Sequence, residues 1–517
     1  MQRYKILWVD DEIELLKPYV LYLEEKKYQV KTFNNPFSLL DYMSEDNSFS
    51  LILIDENMPG KTGLNLISDI KKISITVPII MITKNEEEDI MNEAIGSEIN
   101  DYLIKPLNPN QLLISVKKVL ENSSIIKNKL KSDYISFFNE ISEKINSNRS
   151  DKDWIDTYKN IIDWEISFDR NSEDQYNEML ITQKKEANIK FSRFIIENYS
   201  KWSENNFKDI LMTNNILKKK IFPKISSNKV CLIVIDNFRY DQWKILEDYV
   251  SKYFFIEEDD PYFSILPTTT EYSRNSIFSG LTPLEMSIKD NDLWSDKSQG
   301  FNRNEYSFLD RNLKRNNIDI RHSYNKIVSY DDGVKFIKKI SDLDNYEFNS
   351  VVFNFVDMLS HSKTENKLFK NLAYDEKSFR SFTLSWFKNS SLNELLKYLS
   401  LKKVKVFLTT DHGTIKVDKP VLVKANKETN NNIRFKVGKN INTDNDKIYY
   451  CENGEKINLP RHNIFTKYLF ATDNNYLLYS KNYNFHSKNF KDTFQHGGIS
   501  MEEMIIPFIE LSPKNPQ

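Results

Sequence analysis

Asp10, Asp11, Asp55, Thr83 and Lys105 have the types and spacing for phosphoryl chemistry. Each ends or follows a short apolar run: KILWV (5–9), LILI (51–54), PIIMIT (78–83) or DYLI (101–104). In an open α/β sheet such points are the carboxyl ends of strands, where ligands bind. Three carboxylates brought to one spot repel unless a divalent cation neutralises them. Mg²⁺, held by carboxylates, a backbone carbonyl and waters, is the natural choice. Asp55 then becomes a metal-assisted carboxylate nucleophile able to accept a phosphoryl group. Thr83 can bind a phosphoryl oxygen and Lys105 can pair with its charge. Turn chemistry uses Asp, Thr and Lys freely, but it does not account for these types at successive strand ends.

A second set repeats this placement with softer ligands. Asp236 ends VCLIVI (230–235), Asp357 ends SVVFNFV (350–356) with His361 four residues on, and Asp411 and His412 end KVFLTT (405–410). His496 stands in FQHGGIS, ahead of the apolar MIIPFIEL. Mixed carboxylate and imidazole ligands suit Zn²⁺ or Mn²⁺ better than Mg²⁺ or Ca²⁺. A metal pair needs a nucleophile, and LPTTTEYSRNSIFSGLTP supplies threonines ahead of a helical pattern, where amide N–H groups favour an anion. Taken singly, an Asp of this kind is more often a cap and a His more often a core residue. Order along the chain makes the set specific. Arg239 and Arg274 flank these motifs and can bind phosphate oxygens or merely pack. His322, His462 and His486 fit no part of the pattern and read as structural or surface residues.

The elements that must position these groups follow from hydrophobic periodicity. Over 1–122, apolar runs, QVKTF (29–33) among them, alternate with helical patterns such as Leu15, Leu16, Tyr19, Val20 and Leu23. That is a doubly wound five-stranded parallel sheet, closed by an amphipathic helix from Asn110 to Glu121. Over 123–206 Gly and Pro are absent. Phe137, Phe138, Ile141 and Ile145 mark one helical face and Phe191, Phe194, Ile195 and Tyr199 another, so a small helical bundle is expected. Over 207–517 strand and helix alternate on a larger α/β scale, with continuous apolar runs typical of a buried parallel sheet. The polar stretch 417–490 reads as an insertion.

Composition excludes several classes. The 517 residues carry a formal charge of -2, so no global basic field draws the chain onto nucleic acid. Cys231 and Cys451 are too few for a disulfide framework. No signal-peptide pattern and no apolar run near 20 residues is present, so a cytoplasmic chain without membrane insertion is expected. No helix-turn-helix segment is recognisable, which argues against sequence-specific DNA binding.

LILIDENMPGKTGLNLI, the Thr83 position and DYLIKPL together resemble the receiver domain of response regulators. That resemblance implies Asp55 as the phosphoacceptor, with Mg²⁺ held by Asp10, Asp11, Asp55 and the carbonyl of Asn57. It also implies Thr83 and Tyr102 as switch residues and a cis Lys105–Pro106 bond. IDNFRYDQW, PTTTEYSRNSIFSG, VDMLSH, TTDHG and QHGG resemble the PglZ-type branch of the alkaline phosphatase superfamily. One Zn²⁺ (or Mn²⁺) would then be held by Asp357, His361 and His496, the other by Asp236, Asp411 and His412. Thr270, three residues after Pro267, would be the metal-facing nucleophile, with Thr269 as the alternative. The CxPxR setting of sulfatases is absent, which argues against sulfate esters.

Receiver, helical spacer and PglZ-type domain in this order resemble regulators associated with type IX protein secretion. The resemblance implies a partner histidine kinase, contact with a sigma factor or secretion-system component, and phosphodiester substrates such as cyclic or linear oligonucleotides. Phosphorylation beside Thr83 and Tyr102 would bias the face of the fourth and fifth receiver helices toward a homodimer. Two classes are open: a phosphorylation-controlled phosphodiesterase, and a signalling adaptor whose metal domain binds a partner without turnover.

Overall fold

In the computed structural model the described residues are 4–46, 48–74, 77–84, 99–171, 176–225, 229–294, 302–354, 356, 375–425, 430, 432–443, 448–461 and 463–514. They divide into two compact units, Met1–Ile135 and Ser136–Gln517.

The first unit holds β1 (Lys5–Val9), β2 (Gln29–Phe33), β3 (Leu51–Asp55), β4 (Ile79–Thr83) and β5 (Asp101–Ile104) in one parallel sheet, ordered β2-β1-β3-β4-β5. Both faces of β1, β3 and β4 are buried, which is why these strands read as unbroken apolar runs. Leu7, Val9, Ile52 and Ile54 enter one core, and Ile6, Trp8, Leu51 and Leu53 the other, in the period of two that a strand imposes. β1 lies between β2 and β3, so the chain leaves it in opposite directions at a topological switch point. Asp10 and Asp55 stand at that point. The segment 85–98, where the fourth receiver helix is expected, lies outside the described residues.

The closing helix of this unit does not stop at Glu121; it spans Pro109–Ser147. Between Asn110 and Ser147 there is neither Gly nor Pro, so nothing supplies a left-handed cap or a broken hydrogen bond. Helices Asp151–Asn171 and Asn177–Glu204 share a core with the C-terminal region: Phe191 stacks on Phe263, Tyr158 tilts against Tyr240, and Tyr199 meets Phe207 edge-on. Residues 136–206 of the expected helical segment fall in the second unit.

In that second unit lie β6 (Val230–Ile235), β7 (Phe254–Asp259), β8 (Tyr262–Phe263), β9 (His322–Ile327), β10 (Phe348–Phe353) and β11 (Lys405–Thr409). The main six-stranded sheet runs β7, Phe508–Pro513, β11, β6, β10, β9. β11, β6, β10 and β9 are parallel, while Phe508–Pro513 is antiparallel to both its neighbours. The stretch 417–490 is a folded insertion. Phe435–Lys439, Thr466–Ala471 and Ile448–Cys451 form an antiparallel sheet, and Lys419–Val423 pairs with Asn475–Tyr479. Cys231 and Cys451 are free and buried. Among the described residues no helix is long and apolar enough to cross a membrane.

Candidate functional site

In the first unit Asp10, Asp11 and Asp55 place carboxylate oxygens within 4.8 Å of one another. Lys105 lies 2.7 Å from Asp10 Oδ2 and 2.6 Å from Asp55 Oδ1. The amides of Glu12 and Asn57 donate to Asp10 Oδ1 and Asp55 Oδ2, so the turns after β1 and β3 fix both carboxylates. Asp10 and Asp55 are buried and Asp11 is exposed. Burial pushes the Asp55 carboxyl above its ordinary range, against the pull of Lys105 and with the Asp10 charge adding to it. Thr83 donates to Glu56, Tyr102 is half-buried, and Lys105–Pro106 is cis.

In the second unit Asp236, Asp411 and His412 also place their ligand atoms within 4.8 Å of one another, and all three are buried. Asp236 ends β6, and the chain turns at once through Asn237 (φ 59°). Asp411 and His412 follow β11. Asp411 Oδ1 accepts from the amides of Asn237 and His412, at 3.2 and 3.0 Å. Gly413 permits the close approach that follows: a Cβ there would lie 2.0 Å from the Glu502 carbonyl. Thr270 is the first residue of the helix Thr270–Ser279. Its hydroxyl is 3.2 Å from Asp236 Oδ1 and 3.1 Å from His412 Nε2. Thr269 instead turns its hydroxyl into the core without a hydrogen bond. The segment before Thr270 is fastened to the helical segment, because the Leu266 amide donates to Tyr199 Oη at 2.8 Å.

His496 comes to the same place by a different route. Its ring stacks on His412, centroids 4.3 Å apart and 17° from parallel. His496 Nδ1 donates to the Thr268 carbonyl at 3.2 Å, and His412 Nδ1 to the Gly413 carbonyl at 3.1 Å. Each bond holds the proton on Nδ1 and leaves Nε2 as a lone-pair donor, the usual arrangement of a metal-binding imidazole. Asp357 and His361, expected beside His496, lie outside the described residues, as does His462. His322 and His486 are not brought to the site. His322 stacks on Tyr306, and His486 sits in the short helix Tyr483–Phe490.

Three family models match successive parts of the chain: a response regulator receiver domain over residues 6–117, a PorX response regulator linker domain over 124–203, and a BREX system PglZ alkaline phosphatase-like domain over 216–511. The chain belongs to the PglZ family. With its receiver and linker it is a PorX-like response regulator. Among curated proteins it is 33% identical over 140 residues to the transcriptional regulatory protein CpxR homolog of Haemophilus influenzae, covering 27% of this chain and 60% of that protein. It is 38% identical over 115 residues to the nisin biosynthesis regulatory protein NisR of Lactococcus lactis, covering 22% and 49%. The chain thus spans about half the length of the curated relatives it matches. A solved structure of the chemotaxis protein CheY4 of Vibrio cholerae is 27% identical, covering 23% of this chain and all of that one, with a TM-score of 0.22.

The PglZ donor set fits a dication. One hydroxyl proton on Thr270 cannot serve both Asp236 Oδ1 and His412 Nε2, whereas a cation between them accepts lone pairs from all three. Asp236, Asp411 and His412, with Thr270, would hold one ion; His496 is the described part of the second ligand set. The receiver carboxylates fit Mg²⁺ on the same grounds of hard oxygen donors.

The two arginines part company. Arg274, 1% exposed, sets Nη1 2.8 Å from Asp236 Oδ2 and Nε 2.5 Å from Glu305 Oε1, so it belongs to the site. Arg239 does not present itself to a phosphate. Its guanidinium is buried against Asp241 and Glu376 and packs on the rings of Phe379 and Phe494. Glu305, Asn354 and Glu503 escaped sequence reasoning. Glu305 carries Arg274 and accepts from Tyr324, and Asn354 Oδ1 accepts from Arg274. Glu503 Oε1 accepts from the Gly498 amide, two residues beyond His496, and its carboxylate pairs with Arg434 of the insertion. Only Asn354, inside an apolar run at a strand end, left a signal in the sequence.

Proposed function

We propose that the chain is a two-component response regulator, phosphorylated on Asp55 by a histidine kinase, whose output is a two-metal phosphodiesterase acting on cyclic or linear oligonucleotides in the control of type IX secretion. The observation carrying the enzymatic half is the Thr270 hydroxyl, 3.2 Å from Asp236 and 3.1 Å from His412 at a helix amino terminus. A threonine hydroxyl is a weak nucleophile at its own pKa. Here it meets a carboxylate and an imidazole lone pair, and it points from amide N–H groups that favour a phosphate. Bound dications would supply Lewis acidity and charge neutralisation at that spot. Thr270 Oγ would attack phosphorus in line with the leaving alkoxide, giving a phosphothreonine that water then hydrolyses. Arg274, fixed by Glu305, would neutralise negative charge beside the attacking oxygen.

In the receiver, Asp55 Oδ would attack the phosphohistidine of the kinase, with Lys105 pairing with the transferred group and Thr83 turning from Glu56 to a phosphoryl oxygen. The test is hydrolysis of bis-p-nitrophenyl phosphate by zinc-loaded protein, wild type against Thr270→Ala. Turnover lost in the variant, with bound zinc retained, supports the reading. Absence of turnover in zinc-loaded wild type overturns it in favour of a signalling adaptor.

A further inference from the structure

β9 closes the main sheet of the second unit on the side away from Phe508–Pro513. Its pairing with β10 is parallel, and the carbonyls of Arg321 and Ile327 accept from the amides of Glu347 and Asn354 in β10 and its flanks. Alternation along a strand then turns the amides and carbonyls of His322, Tyr324 and Lys326 to the outer edge. Among the described residues no strand pairs with that edge. An open edge is a template for another chain.

The edge is not flush with solvent. All six residues of β9 line one groove of about 720 Å³, whose opposite wall is the helix Tyr330–Lys338 with Lys339. A strand flanked by a helix across such a groove is the arrangement in which extended peptides add to a sheet. Tyr306, Phe336 and Tyr346 supply apolar surface for alternate side chains. The charge is one-sided. Lys335, Lys338 and Lys339 line the groove, and among the described residues no carboxylate forms a salt bridge with them, Asp332 acting on Lys335 only through its charge. Lys326 is held by Glu305, and Asp332 is spent in capping its own helix. Asp342 is the one other acidic residue of the lining.

We infer that β9 is a docking edge for an extended, acidic segment of a partner protein, which joins the sheet as a strand beside β9. Main-chain bonds to His322, Tyr324 and Lys326 would supply affinity, and Lys335, Lys338 and Lys339 would select acidic side chains. This rests on no catalytic role for the unit. The probe is the amidated peptide (Glu-Val)₄, with (Lys-Val)₄ as its charge-reversed control, titrated into the full chain by fluorescence polarisation. Hydrogen exchange is followed at the β9 amides. The expected result is binding of the acidic peptide at least about tenfold tighter than the basic one, with slowed exchange at His322, Tyr324 and Lys326. Lys335→Glu, Lys338→Glu and Lys339→Glu together should reverse that preference, and because all three side chains are exposed, two on the helix and one at its C-cap, the fold is kept. Four results overturn the inference: no binding of either peptide at millimolar concentration; equal binding of both; the same protection produced by the oligonucleotide (dT)₈; or a dimer of the chain alone in which these amides are already protected.

Discussion

Both sites converge carboxylates at the carboxyl ends of parallel strands, yet they manage the resulting charge differently. The receiver site sets two buried aspartates beside an exposed one, and a single lysine bridges Asp10 and Asp55. Among the described residues of the PglZ site Asp236, Asp411, His412 and His496 are buried, and Thr270 is half-buried. The site's compensating arginine is anchored by a buried glutamate, and its imidazoles are locked by backbone carbonyls. One lysine shared by two carboxylates, with a third carboxylate exposed, suits a group that must be loaded and unloaded. A fixed arginine and fixed imidazoles suit a centre organised before its substrate arrives. On the proposed function, the same strand-end geometry would serve a reversible mark in one unit and a preorganised centre in the other.

The largest effect that would separate the two sites is on turnover. Thr270→Ala should lower phosphodiester hydrolysis by about 10³-fold or more, while acetyl phosphate still adds a phosphoryl group to Asp55, read by intact mass. Asp55→Asn should do the opposite: no mass shift, and hydrolysis by the unphosphorylated protein within about twofold of wild type. Loss of hydrolysis in Asp55→Asn would mean that the two sites are not chemically separate.

Next in size is Arg434→Met. It leaves Glu503 charged in the core beside Gly498, which should cost about 3–5 kcal/mol of second-unit stability, read by chemical denaturation. The receiver transition should not move. Metal removal comes below that. Stripping zinc held at a hundred times its Kd should cost the second unit about 2.7 kcal/mol, while magnesium should shift only the receiver transition in calorimetry.

The receiver was largely legible in the sequence because β1, β3 and β4 are buried on both faces, so apolar runs and elements coincide there within a residue or so. The strand-end positions of Asp236, Asp411 and His412 were legible for the same reason. β9 was not: HSYNKI is a half-buried edge strand whose polar side chains hide its period. Nor was the direction of Phe508–Pro513, since an apolar run carries no sign of whether it pairs parallel or antiparallel. For Arg239 the sequence left phosphate binding and packing both open, because its buried partners Asp241 and Glu376 were invisible in one dimension.

The smallest effect concerns pH. Burial, with the Glu502 charge adding to it, pushes the Asp473 carboxyl up to about 6. Its folded pKa is thus raised, so its stabilising contribution is complete below about pH 4 and is lost as pH rises through about 6. Asp473→Asn should therefore stabilise the second unit at pH 8 by about 1–2 kcal/mol, with no gain near pH 4. Asn suits the left-handed backbone there (φ 48°). Equal melting shifts at both pH values would remove the carboxyl as the cause.

The insertion's arginine has a consequence for protein engineering. Arg434 is fully buried against Glu503, and Asn432 Nδ2 donates to the His496 carbonyl. Residues 417–490 therefore cannot be trimmed away as decoration to widen the cleft or make a minimal enzyme. A chain with that stretch excised would carry an orphaned carboxylate and an untethered histidine loop, and it should emerge from expression in the insoluble fraction. A shortened chain that also replaced Glu503 with a neutral residue should recover solubility before it recovers metal.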